Sequence, residues 1–312
     1  MCNHYSACKI VFSFLILPIF LIAQENMDFE STAKPVELFN STVFTPKDAF
    51  TSGVEGPAVD KEGNLYAVNY QKQGTIGKVT SDGQCTIFVE LPKGSVGNGI
   101  RFNSTGDMFI ADYNMHNILK VNMDTKELSV FSHSVLMNQP NDLAITDNDI
   151  LFASDPNWQT SGGKLWRIDI NGKACLLEDK MGTTNGVEVA PGSEILYVNE
   201  SIQRNVWAYD LSPEGEISNK RLLISFPDFG LDGMRCDMEG NIYITRYGKG
   251  TVVKVSPAGK VLQEIQLSGK NCTNIAFGGS DGKTCYVTLS DQGNIETFRA
   301  DIPGRSWQMY QE

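Results

Sequence analysis

Six side chains in this 312-residue sequence stand at matching places, and all six carry oxygen donors: Glu55, Asn98, Asn141, Asn185, Asp232 and Asn274. Each opens a segment of the same make. A polar residue, usually followed by Gly or Asp, leads into an apolar alternation, a polar turn and a second apolar run. The first is EGPAVDKEGNLYAVNY from Glu55, the second NGIRFNSTGDMFIADY from Asn98, the last NIAFGGSDGKTCYVTL from Asn274. Brought to one point, two carboxylates and four amides would suit a hard divalent cation such as calcium, magnesium or manganese. No His or Cys occupies these positions, which argues against a closed structural zinc site. The competing reading is turn chemistry, because Asn-Gly and Asp-Gly are favoured where the backbone takes positive φ. Glu55 counts against it, being a poor turn former in the same place of the pattern.

The repeat itself supplies the means of bringing these side chains together. Successive openers lie roughly 42–47 positions apart, the length of a four-stranded propeller blade. The second apolar runs (LYAV, MFIA, ILFA, ILYV, IYIT, CYVT) are continuous and rich in β-branched and aromatic residues, as strands buried on both faces should be. Third and fourth strands follow, TIGKVT and CTIFVE in the first unit. The chain is therefore predicted to be all-β, a six-bladed β-propeller of four-stranded blades. The sixth unit lacks a clear fourth strand. VELFN, residues 36–40, is expected to supply it, closing the ring with an N-terminal strand and removing free sheet edges. First strands line the channel of a propeller, so the six openers should surround one mouth. Second strands run back to that mouth and end in a substrate rim that includes Asn69, Tyr113, Asp155, Trp158, Arg246 and Tyr247. Arg246 is expected to hold a carboxylate or phosphate, and Trp158 to act as a lid.

Composition narrows the partners. A net charge of −11 repels phosphate backbones, so nucleic acid is not an expected partner. Lys9, an apolar run over residues 10–23 and polar Gln24-Glu25-Asn26 read as a cleavable signal peptide over residues 1–23, ahead of one propeller domain over 24–312. The run is short and broken by Pro18, so no membrane span is expected after cleavage. Export to a periplasm or to the outside is the expected destination. Cleavage removes one positive charge and leaves five cysteines, Cys85, Cys175, Cys236, Cys272 and Cys285. An odd number leaves at least one unpaired within the chain. Cys272 and Cys285 flank an expected hairpin, where an oxidising compartment would permit a bridge; otherwise they are small buried apolar residues.

Four of the openings carry a family resemblance. Glu55-Gly56-Pro57, Pro140-Asn141-Asp142, Asn185-Gly186 and Asp232-Gly233-Met234 resemble, in order and one blade apart, the axial motifs of the SMP-30/gluconolactonase family. The resemblance runs from about residue 50 to 305. It implies a six-bladed propeller that binds one divalent cation and hydrolyses lactones, with Glu55, Asn185 and Asp232 as metal ligands. Calcium stands first among the cations, with magnesium, manganese or zinc as alternatives. Asn141 would lie beside the ion, contacting substrate or completing its shell. Asp232 is the expected catalytic residue, accepting the proton of an attacking water. Ser154-Asp155-Pro156 is similar to the family's Thr-Asp-Pro segment. Gln139 stands where members that bind sugar lactones often carry Arg, so the substrate is left as a small lactone or related ester, of a sugar or otherwise. Two other readings stay open: a non-catalytic ligand- or protein-binding propeller with a structural cation, and a propeller running strictosidine-synthase-like chemistry. No Gly-x-Ser-x-Gly elbow occurs, and His116 is read as structural. Oligomeric state is not legible.

Overall fold

The computed structural model describes residues 37–309. The expected leader lies outside them, as does the first residue of the expected closing strand. Six four-stranded antiparallel sheets run through the described residues. Blades 1 to 6 begin with the inner strands Phe50–Val59, Gly97–Phe102, Leu143–Ile145, Thr184–Val189, Met234–Cys236 and Cys272–Gly278. The six-bladed propeller expected from the repeat is the fold observed.

The burial pattern explains why these runs form this architecture. Every residue of the second strand Leu65–Tyr70 is buried, whereas five of the six residues in the outer strand Val261–Gln266 are exposed. Apolar side chains interleave between neighbouring blades. Tyr197 and Val206 of blade 4 pack with Ile242 and Val253 of blade 5, and Tyr66 and Ile76 of blade 1 with Ile100 and Met108 of blade 2. Each such side chain contributes about 1.5–3 kcal/mol when fully buried. Since the core lies between blades, no blade is stable by itself and the ring must close.

Closure uses the N-terminal segment, but not the residues expected. Thr42–Val43 forms the outer strand of blade 6, antiparallel to Asn294–Arg299, with Thr42 opposite Thr297. Residues 37–40 do not form that strand; Leu38 makes only an isolated parallel bridge to Arg299. Phe39 takes φ 61, which breaks the apolar run. The register is set further on. Ser41 donates to Glu296 at 2.8 Å, the Phe44 and Tyr286 rings lie 5.2 Å apart, and Thr45 Oγ1 accepts the Ile295 amide at 2.9 Å. Deleting the chain through residue 45 should therefore lower Tm by about 10 °C or more, while deleting through residue 37 should leave it nearly unchanged. Circular dichroism melts decide this, and equal Tm values for the two truncations would contradict it.

Arg305 enters the far end of the channel. Arg305 opens the short helix Arg305–Met309 and reaches across the axis to blade 3. It donates to the Ile145 carbonyl at 2.9 Å and to Asp147 at 2.5 Å. All five described cysteines are free. The bridge considered between Cys272 and Cys285 is not formed, because Cys272 pairs across the hairpin with Leu289, and Cys285 with Phe277. Both thiols are fully buried in the blade 6 core and serve as small apolar residues.

Candidate active site

Glu55, Asn98, Asn141, Asn185 and Asp232 line one cavity of about 430 Å³ at the open mouth of the channel. Five of the six openers thus meet. Asn274 sits behind them: its Nδ2 donates to Glu55 Oε2 at 2.9 Å, and its Oδ1 accepts the Ile275 amide at 2.9 Å. It orients Glu55 and lies outside the cavity lining.

The glycines that follow the openers explain how the strands come so close. A Cβ on Gly186 would lie 2.5 Å from the Asp232 carbonyl, and one on Gly233 only 2.0 Å from the Asn274 side chain. Neither takes positive φ. The turn reading of these pairs is therefore replaced at both positions by close approach of backbone around the axis.

The donor set fits a divalent cation. Oδ1 of Asn98, Asn141 and Asn185 are all buried without a hydrogen-bond partner, and leaving such a group unsatisfied costs about 1–3 kcal/mol. Asn185 lies beside the Asp232 carboxylate, and the closeness of Asp232 to Glu55 favours a proton shared between them. Burial first, then the charge of Asp142, pushes Glu55 from the ordinary 4.5 up to about 7. Burial and the neighbouring Glu55 hold Asp232 well above the usual carboxylate range. A cation would replace the shared proton and satisfy the orphaned amide oxygens.

The sign of the pH dependence follows. Folded metal-free protein holds a proton on Glu55 that the unfolded chain has released above its ordinary 4.5. That stability is fully present below the ordinary value and is lost as pH rises through about 7. The Tm of chelator-treated protein should accordingly fall between about pH 5 and about pH 8. Added calcium should flatten the profile, with affinity that strengthens as pH rises. A Tm that climbed over that interval without metal would contradict the assignment.

Beneath the floor lies a second layer, unrecognised in the sequence although its spacing was available. Arg101, Glu188 and Arg235 stand three residues after Asn98, Asn185 and Asp232. Arg235 pairs with Asp142 at 3.0 Å, Arg101 with Glu188 at 3.2 Å and Arg305 with Glu188 at 3.7 Å. Burial, followed by the charge of Arg235, lowers the Arg101 guanidinium to about 10. With Arg305 this network fills the channel to a residual cavity of about 50 Å³.

The expected rim divides. Trp158 and Tyr247 line the cavity and remain 40% and 39% exposed. Tyr113 also lines it, with its hydroxyl bonded by Gln139 and Trp158, so Gln139 reaches the wall through Tyr113. Asp155 and Arg246, expected as substrate contacts, lie outside the lining. Asp155 is buried and already accepts the amides of Asn138 at 2.9 Å and Gln139 at 2.6 Å, and Trp166 Nε1 at 2.9 Å. It fixes the turn that presents Asn141. Arg246 donates to Asp228 Oδ1 at 2.7 Å and stacks 4.1 Å over the Phe226 ring, leaving it turned away from the cavity. Among the described residues lining the cavity there is no His, Cys, Lys or Arg.

Comparison with known proteins agrees with this geometry. The family described as SMP-30/Gluconolactonase/LRE-like region matches residues 29–291. A gluconolactonase of Zymomonas mobilis is 26% identical over 287 residues, covering 80% of this chain and 80% of that protein. A 6-deoxy-6-sulfogluconolactonase of Pseudomonas putida is 30% identical over 152 residues, 47% of this chain and 52% of its own length. Among solved structures, the calcium-binding protein regucalcin of Agrobacterium tumefaciens shares the fold with a TM-score of 0.72 at 19% identity, over 85% of this chain and 97% of that one. Given a family match running through nearly all six blades, the chain belongs to the SMP-30/gluconolactonase/LRE-like family.

Proposed function

We propose that this propeller is an enzyme that hydrolyses lactones, with one divalent cation held at the axial mouth by Glu55, Asn185 and Asp232 and flanked by Asn141 and Asn98. One observation carries the reading: three amide side chains with partnerless oxygens and two buried carboxylates line one cavity. The relatives named as lactonases support the reaction class. Hard oxygen donors of mixed charge favour calcium, with magnesium or manganese next. Such an ion, when bound, supplies Lewis-acid polarisation of a lactone carbonyl and acidifies water at the site.

The chain's own residues do the rest. Asp232, on the cavity beside Asn185 and Glu55, is the carboxylate placed to act as general base. Water adds to the carbonyl carbon as Asp232 takes its proton. The ring C–O bond then breaks, and the same proton passes to the departing alkoxide, giving the hydroxy acid. Asn274 and the Gly56 amide hold Glu55 in place. Trp158 and Tyr113 wall the cavity against bulk water. The polar-to-apolar leader pattern supports export as the setting.

A panel of lactones followed by acid release, with and without chelator, tests the proposal. Turnover that chelator abolishes and calcium restores is the expected result. A folded protein inert towards every lactone would favour a binding propeller in its place.

A further inference from the structure

The cavity is chemically one-sided. Its floor carries Glu55 and Asp232, and none of its described lining residues is a cation. Large apolar side chains gather instead at one edge of its mouth. Tyr247 lines the cavity, and beyond it stand Phe229, 48% exposed, and Ile202, 46% exposed. Phe229 and Tyr247 stand on neighbouring loops, and Ile202 follows the cavity residue Ser201 in the chain. A Cβ on Gly248 would sit 3.4 Å from the Phe229 ring, and one on Gly230 would sit 3.4 Å from Ser201 and 3.6 Å from Tyr247. Ser201 and Tyr247 are both cavity residues, so the apolar edge is continuous with the site.

The edge is also held under backbone strain. Phe229 takes φ 48, a left-handed conformation that is an outlier for a bulky aromatic residue. The buried Arg246 maintains it, bonding both the backbone carbonyl and the carboxylate of Asp228 while stacking on Phe226. A solvent-facing ring fixed at such cost invites a role for the ring itself.

We infer that the site selects lactones bearing an uncharged, apolar substituent, the lactone ring lying over the carboxylate floor and the substituent on the Ile202–Phe229–Tyr247 shelf. This rests on the hydrolase reading above. An anionic substituent laid on the shelf finds no cationic side chain among the described lining residues and would lose its hydration against apolar surface. An apolar chain gains affinity with each methylene covered by the shelf, which corresponds to about twofold to fourfold in kcat/KM per methylene. Arg246 is a positioning residue that acts through the loop bearing Phe229.

The test is a kcat/KM series on γ-lactones from γ-butyrolactone to γ-nonalactone, with glucono-δ-lactone and a chain-matched lactone ending in a carboxylate. Wild type should show the methylene dependence. The carboxylate analogue should fall at least about tenfold below its chain match. Phe229→Ser should shrink the ratio of long-chain to short-chain kcat/KM by about tenfold, and Arg246→Met should shrink it too while leaving the pH profile in place. A flat series in an enzyme that turns over glucono-δ-lactone or γ-butyrolactone would overturn this inference and leave the hydrolase reading intact. Failure on every lactone would remove both. A dimer in sedimentation that Phe229→Ser dissociates would overturn it by assigning the shelf to a second copy of the chain.

Discussion

Replacing Asp232 by Asn should lower kcat/KM on any hydrolysed lactone by about 10³-fold or more and abolish stoichiometric cation binding, while raising the stability of the metal-free protein. The first two effects follow from removing a ligand that is also the base. The third distinguishes this account from simple damage. In the absence of a cation, Asp232 and Glu55 are like charges pressed together and stripped of water, and each is driven to keep a proton. An amide at position 232 relieves that conflict. Metal-free Asp232→Asn should then melt about 3 °C or more above metal-free wild type at alkaline pH. The difference should vanish in acid, where both carboxyls are protonated in wild type. Glu55→Gln should behave alike. Titration calorimetry with calcium and paired thermal melts measure both arms. A metal-free variant that melted lower at every pH would mean that Asp232 is a structural group.

The second large effect lies one residue away. Gly233→Ala should cost about 3 kcal/mol or more, lowering Tm by about 6 °C or more, although alanine adds a single methyl. That methyl would sit 2.0 Å from the Asn274 side chain. The backbone cannot yield readily, because Gly233 N donates to the Thr273 carbonyl at 2.7 Å and its own carbonyl accepts Thr245 Oγ1 at 2.9 Å. Asn274 must move, and with it goes the bond that orients Glu55. Cation affinity should fall together with stability. Removing the obstructing side chain in the double variant Gly233→Ala/Asn274→Ala should recover much of the lost Tm, a coupling of the kind seen between contacting residues. Strict additivity of the two substitutions would contradict the close-approach account.

These two residues also show how the sequence speaks about the site. The blade period was readable because every unit must bury its second strand on both sides, and that demand writes continuous apolar runs at fixed intervals. The convergence of Glu55, Asn98, Asn141, Asn185 and Asp232 was readable because the same place in a repeat becomes the same place around an axis. Direction of side chains beyond the strand ends was not. Arg246 and Tyr247 are neighbours in sequence, yet one turns into Asp228 and Phe226 and the other onto the cavity. Asp155 carries a family-like motif, but its oxygens are saturated by the turn ahead of Asn141. The closing strand was misplaced by a few residues because an apolar run, VELFN, outweighed the contacts of Phe44 and Thr45 that set the register. The charged layer of Arg101, Glu188 and Arg235 follows from counting three residues past three of the six openers, Asn98, Asn185 and Asp232, a spacing that apolar patterning conceals.

Native mass spectrometry of the protein, purified without chelator and supplied with calcium, bears most directly on whether inward-facing oxygens form an ion site. One divalent ion per chain is the outcome required, retained by wild type and missing from Glu55→Gln. A wild-type chain that stays bare under saturating calcium, magnesium and manganese alike, or a Glu55→Gln chain that binds as firmly, would contradict the metal centre on which the proposed chemistry depends.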